Sequence, residues 1–363
     1  MISLFACLTR MARVLLLVVL TCVAPVAFAQ SPGSGPINGA TPGDTNAAGS
    51  SDADLWRAVR AGDSFTSQSR VPMGNQLIQS AGHDWELTRN GPLAMYTAWI
   101  ITGMLVLLSI FFALRGRIRI DAGKSGQTIK RFTLVERSAH WMIASSFVLL
   151  ALTGLSLLFG RKILIPLMGH EAFSVLAYWG KHIHNYVGFA FMAGIAIIFV
   201  MWVIHNIPRP SDLVWIARGG GLFGGGHPPA HKFNAGQKGI FWAVIVCGTS
   251  LALSGWALLT PFTTTMFADT FSHVNAIFGT TLPTDLTIHQ EQQFQEIWHT
   301  IMAAIMIAII IAHIYIGTVG MEGAVDAMTH GDVDLNWAKE HHSLWVAEKL
   351  GKDTPRSSHT PAE

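Results

Sequence analysis

From residue 93 onward the chain alternates between long apolar stretches, at approximately 93–114, 138–160, 182–205, 238–261 and 294–320, and shorter polar connections. Each stretch holds enough apolar residues to cross a hydrocarbon core of about 30 Å as a helix. The pattern therefore predicts an all-α membrane protein. Between the second and third stretches, RKILIPLMGHEAFSVLAYWGK reads as an amphipathic segment lying at the membrane interface. Between the third and fourth, RGGGLFGGGHPPAHKFNAGQK reads as a flexible connector. Its glycines do not form a phosphate loop, because no G-K-[ST] closes them and no strand precedes them.

The residues before the first span divide in two. Arg10 and Arg13, the apolar run Val14 to Val23, and Ala27-Phe28-Ala29 before Gln30 read as a secretory signal over residues 1–29 with cleavage after Ala29, favoured over an uncleaved anchor because the run is short for a span and Pro25 interrupts it. Residues 30–92 begin as SPGSGPINGATPGDTNAAGSSDAD, too polar to bury a core, and become mixed from Leu55 to Asn90, so an exported, partly disordered segment is expected. Export sets the start of the first span outside, and basic residues test the alternation that follows. The loop 115–137 carries Arg115, Arg117, Arg119, Lys124, Lys130, Arg131 and Arg137, whereas 262–293 carries no Lys or Arg. This is the positive-inside pattern. Arg161, Lys162 and Lys181 run against it and are fewer. The tail, 321–363, is then expected in the cytoplasm.

Composition agrees with a bilayer: half the residues are apolar and only 13% are charged, and a net charge of +2 offers no footprint for nucleic acid. Cysteine narrows the chemistry further. Of Cys7, Cys22 and Cys247, the first two lie in the signal. One remaining thiol cannot form an internal disulfide, ligate an iron–sulfur cluster by itself or make a C-x-x-C-H attachment. A redox centre here must be non-covalent and held through nitrogen.

Sixteen histidines supply that nitrogen. In EIWHTIMAAIMIAIIIAHIYIGTVG, His299 and His313 are 14 residues apart, close to four helical turns. Both face nearly the same way, about 21 Å apart along the axis. One helix can thus present two ligands, one near each side of the membrane, the geometry that stacks two haems across a bilayer. Depth selects their partners: His140 opens its span on the cytoplasmic side, where His313 lies, and His184 opens its span on the outer side with His299. Gly154, 14 residues after His140, shares the face of that histidine and leaves room for a macrocycle. His182 points about 200° away from His184, and Gly188 opens the His184 face one turn later. His170, His182 and His205 read as interfacial or hydrogen-bonded groups, and His227, His231, His273, His289, His330, His341, His342 and His359 as solvated. Zinc or copper gathers its ligands closely, and a spacing of 14 cannot serve one small ion. The spans also lack the embedded carboxylates of an ion carrier, Glu296 and Glu322 lying near the ends of the last one.

Several stretches together match a known family: RFTLVERSAHWMIASSFVLLALTGLSLLFG, KHIHNYVGF, VIHNIP, KFNAGQK, the His299 to His313 helix with HIYIG, and WAKEHHSLW at 337–345. From about Thr128 to the tail, the chain resembles the gamma subunit of respiratory formate dehydrogenase. The resemblance implies a four-helix bundle with two haems b, to which this chain adds one N-terminal transmembrane helix, 93–114. It implies His140 and His313 as ligands of the cytoplasmic-side haem, His184 and His299 as ligands of the periplasmic-side one, and Asn234, Gly236 and Gln237 as a quinone site. It further implies a bacterial inner-membrane complex. There a molybdenum or tungsten subunit oxidises formate, an iron–sulfur subunit relays electrons, and this chain passes them to ubiquinone or menaquinone. A cytochrome b subunit of a membrane-bound hydrogenase shares this design. A haem-free membrane anchor whose histidines only pack is the alternative of another class.

Overall fold

The computed structural model describes residues 60–61, 82–222 and 226–353. The signal, its cleavage point, most of 30–92, residues 223–225 of the glycine run and His359 lie outside the described residues. Two compact units divide the chain, Met1–Thr88 and Arg89–Glu363. In the first, a helix spans Gly82–Thr88.

Four helical runs among the described residues are long and apolar enough to cross a membrane: Gly82–Arg115, Leu134–Asn206, Ala235–Leu259 and Ile288–Gly320. The second counts 73 residues and would be about 110 Å long if straight, several times the hydrocarbon thickness. It is folded back on itself. Gly169, at φ 81° and ψ 169°, supplies the break, a conformation from which a side chain is sterically excluded. The two arms then pack antiparallel, Phe147 on Phe191 and Ile143 on Gly194. Five spans result. The principal helices are α1 (Ala94–Arg115), α2 (Leu134–Phe159), α3 (Ile165–Trp202), α4 (Pro210–Ala217), α5 (Ala235–Leu259), α6 (Met266–Phe278) and α7 (Ile288–Tyr315).

Three spans begin on the same device. Thr133 with Glu136, Asn234 with Gln237, and Thr287 with Gln290 form reciprocal capping boxes at the starts of α2, α5 and α7. Each satisfies two backbone donors that a helix start leaves open. Small residues then let the helices approach: a Cβ at Gly194 would meet Ile143 at 3.0 Å, and one at Gly248 would meet Ile195 at 3.0 Å. Without a hydrophobic drive between helices in lipid, such close packing is a main source of cohesion. Helix α3 is thereby held between α2 and α5.

Helix α1 runs parallel to α7 and is tied to it at both ends. Arg89 Nε donates to Glu296 at 2.8 Å before α1 begins, and Phe111 and Phe112 meet the Tyr315 ring edge-on near its end. Just beyond, Ile118 N–H donates to the Gly320 carbonyl and the Ile118 carbonyl accepts from Glu322 N–H, each at 2.9 Å. At the outer end, the buried Glu291 carboxylate accepts from the Phe267 and Ala268 N–H groups at 3.0 and 2.6 Å, a charge set on the N-terminus of α6.

Two expectations need correction. The segment 170–181 does not lie along the interface but continues upright as α3. With no further break after Gly169, the helix extends about 50 Å, and Gly180 already packs on Thr153 and Ser156. The tail histidines, in turn, are not all solvated, because the tail docks on the bundle. Strand β2 (Asp332–Asp334) pairs antiparallel with β1 (Thr128–Lys130), a small sheet on an otherwise helical protein. Helices α8 (Leu335–His341) and α9 (Ser343–Asp353) follow. Trp337, Ala338, Trp345 and Val346 are buried in one cluster with Phe132 and Phe233 at the base of the bundle. His342, wedged among them, is fully buried and its Nδ1 lies 2.6 Å from the His231 carbonyl, while His341 packs on Trp337 and His227. Burying those tryptophans draws the intervening histidines out of water.

Candidate functional site

The structure gathers the four span histidines into two pairs. His140 on α2 and His313 on α7 have ring centroids 6.1 Å apart at 63°, and His184 on α3 and His299 on α7 have theirs 6.2 Å apart at 64°. Both α7 members lie on one stripe, so the pairs sit at two depths about 21 Å apart. The remaining candidates stay out of these pairs. His182 is exposed and meets the Tyr178 ring edge-on, and His170 and His205 are exposed as well.

The separations carry chemical information. An imidazole nitrogen bound to a metal at about 2 Å puts its ring centroid about 3 Å away, so two rings trans across one ion have centroids about 6 Å apart. Both pairs match that spacing. Among the described residues, no group of three or more His, Cys, Asp or Glu could hold a metal ion. Two imidazoles alone underfill a zinc or copper site, but they complete an iron already held in the plane of a macrocycle. The residues present therefore fit haem. Space is left around them too: a Cβ at Gly188 or Gly317, one turn beyond His184 and His313, would touch nothing within 4 Å.

Residues that the sequence pattern did not single out complete the outer pair. Thr153 Oγ1 lies 2.8 Å from His184 Nδ1, and Ser254 Oγ lies 2.8 Å from His299 Nδ1. The next residue in each case is a glycine whose Cβ would lie 3.5 Å from the same ring, Gly154 from His184 and Gly255 from His299. A signal for them exists in the chain. Ala151-Leu-Thr-Gly-Leu-Ser-Leu-Leu158 and Ala252-Leu-Ser-Gly-Trp-Ala-Leu-Leu259 repeat one pattern on α2 and α5. Each copy serves the histidine of a neighbouring helix.

At the other end of the bundle, Asn234 and Gln237 form the cap of α5. Asn234 Oδ1 accepts from Gln237 N–H at 2.9 Å, and Gln237 Oε1 accepts from Asn234 N–H at 3.1 Å. The cap uses the two carbonyl oxygens and leaves the amide NH2 groups outside it. Gly236 sits against Trp215 of α4, where a Cβ would come within 3.0 Å of the indole. Arg131 joins this corner: nearly fully buried, it donates from Nη2 to the Lys232 carbonyl at 2.8 Å and to Gln237 Oε1 at 3.3 Å. Its guanidinium lies over Trp337, and burial lowers its pKa to about 9. Lys232 and the Trp202 indole both donate to Glu136 Oε1, at 2.7 and 3.0 Å, tying the base of α2 to that of α3 and the loop before α5.

Comparison with known proteins adds names to this geometry. A family model described as prokaryotic cytochrome b561 matches residues 131–331. The chain is 30% identical over 227 residues to the formate dehydrogenase cytochrome b556(fdo) subunit of Escherichia coli K12, covering 62% of this chain and 95% of that one. It is 28% identical over 224 residues to the nitrate-inducible formate dehydrogenase cytochrome b556(Fdn) subunit of the same organism, covering 61% and 91%. A formate dehydrogenase cytochrome b556 subunit of Haemophilus influenzae is 26% identical over 219 residues, covering 59% and 80%. The family model's span runs from just before α2 to beyond α7, and α1 lies outside it.

Proposed function

Because the chain belongs to the prokaryotic cytochrome b561 family, with the cytochrome b556 subunits of formate dehydrogenase as its relatives, we propose that it is the membrane cytochrome b subunit of a formate dehydrogenase, holding two haems b and delivering electrons to quinone. His140 and His313 would hold the cytoplasmic-side haem, and His184 and His299 the periplasmic-side one. The observation that most supports this is the pair of imidazole couples, with centroids 6.1 and 6.2 Å apart, presented at two depths by one helix. When bound, the haems supply two one-electron carriers in series across the membrane.

The protein contributes position and insulation. The ring nitrogens would set the position of each haem, and the lipid-facing spans would keep water away from the path between the two depths. Formate oxidation and the iron–sulfur relay belong to partner subunits, a molybdenum or tungsten enzyme and an iron–sulfur protein, since beyond residue 29 the chain carries only Cys247 as a thiol. Asn234, Gly236 and Gln237 form the quinone site at the head of α5, at headgroup depth. There the free amide N–H groups can donate to a quinone oxygen without setting a fixed charge in the membrane. The complex resides in the bacterial inner membrane with the tail in the cytoplasm.

Ligand replacement tests the reading. In the purified complex, His313→Ala and His299→Ala should each retain one haem b of two, measured as pyridine haemochrome per protein, while His182→Ala retains both. An unchanged stoichiometry near two in both ligand variants would refute the assignment.

A further inference from the structure

The Nδ1 atoms of the paired histidines are treated differently at the two depths. At the His184/His299 pair, Thr153 Oγ1 gives its own hydrogen to the Leu149 and Leu150 carbonyls, at 2.7 and 3.1 Å. With that hydrogen committed, its 2.8 Å contact with His184 Nδ1 is one in which the hydroxyl accepts. Ser254 repeats the arrangement, donating to the Ser250 and Leu251 carbonyls at 2.9 and 3.1 Å and accepting from His299 Nδ1 at 2.8 Å. Both imidazoles therefore carry their proton on Nδ1 and keep the lone pair on Nε2 free. At the other pair, His140 Nδ1 is buried without a hydrogen-bond partner.

An acceptor on the far N–H fixes the tautomer and ring orientation of a metal-bound histidine and raises its basicity. A more basic axial ligand favours the oxidised, more positively charged iron, and hydrogen bonding around the ligands is one of the protein's levers on haem potential. The two outer imidazoles have this support and His140 lacks it. We infer that Thr153 and Ser254 are positioning residues that hold His184 and His299 as Nδ1–H tautomers and set the haem at that depth to a lower potential than the haem at His140/His313. The repeated A-L-[TS]-G-x-x-L-L segment shows the same hydroxyl built twice, once per outer ligand.

The consequence is directional. Electrons arriving at the outer face would meet the more reducing site first and fall toward the quinone side, so two hydroxyls bias the flow without any charge buried in the membrane. This inference rests on the two-haem reading above.

Potentiometric titration of the b-type absorption bands in the intact, purified complex tests it. Two components of different potential are expected, the lower one absent in His299→Ala. Thr153→Val and Ser254→Ala should each shift the lower component upward and leave the higher one in place. The double variant should shift it further, and Thr153→Ser should restore the original value. Loss of the outer haem in Thr153→Val with its return in Thr153→Ser supports the same role, whereas its loss in both overturns it. Two haems at unaltered potentials in the double variant, or movement of the higher component alone, would also overturn it. Absence of two b-type haems from the unmodified complex defeats the underlying reading instead, and is seen before any hydroxyl is changed.

Discussion

Single residues carry both the chemistry of this protein and its overlap with architecture. His299 and His313 could be singled out because a 14-residue interval is close to a whole number of helical turns, a property of the sequence alone. Thr153 and Ser254 could not be found that way, since a hydroxyl in an apolar helix commonly bonds back to its own backbone, as both of these also do. Only the crossing of α2 with α3, and of α5 with α7, brings them to a ring. Asn234 and Gln237 show the reverse case, a proposed binding motif that is also a helix cap. Losing the cap should cost about 1 kcal/mol, so Gln237→Ala is expected to lower the thermal midpoint slightly. If the amides also serve quinone, the Asn234→Ala, Gln237→Ala double variant should stay fully haem-loaded, be reduced from the donor side, and fail to reduce quinone. Normal quinol formation by that variant would reduce the motif to a cap.

Elements decide what the apolar pattern leaves open. Hydropathy marks where a helix can cross, not where it stops, and α3 outruns its apolar stretch because the residues from His170 to Lys181 contain no proline and Gly180 keeps helical dihedrals. The tail shows a second kind of override, in which helices α8 and α9, polar by sequence, are docked by a few buried aromatic and aliphatic side chains. Docking has a pH dependence. Burial, reinforced by the charges of His227 and Arg131, holds His341 down at about 4, with Asp121 opposing weakly. Burial likewise holds His342 well below its ordinary value, again reinforced by Arg131. Both rings are neutral while docked, and a released tail would protonate them below about pH 6.5. The docked state is therefore favoured above that value and loses ground as pH falls toward 4. Hydrogen exchange in Leu335–Asp353, corrected for intrinsic rates, should be slow at pH 7.5 and faster at pH 5, while α5 and α7 remain protected. Equal protection of the tail at both pH values would contradict this.

Across the whole molecule, direction matters more than contact. Helix α1 lies parallel to α7, α2 opposes α3, α3 opposes α5, and α5 opposes α7, so the ends of α1, α3 and α7 share one face with the starts of α2 and α5. That face carries Arg115, Arg117, Arg119, Lys130 and Arg137, as the positive-inside pattern requires of a cytoplasmic face. At the opposite face, Lys162 donates to the Asn90 carbonyl, binding the α2–α3 turn to the approach of α1. Alkaline phosphatase fused after Asp84 should be active and fused after Lys349 inactive. The opposite result would invert the bundle and set the proposed quinone motif on the wrong side.

The sequence by itself determined the spans, their alternation and the two depths at which imidazoles are offered, because these depend on periodicity and composition along one chain. The tertiary structure decided which helices touch, and with that the far-nitrogen partners of the histidines, the seat of α1 on α7 and the burial of His342. Such contacts join residues 31 to 207 positions apart. Helical periodicity carries no information over that distance, because every connecting turn resets the direction of the chain.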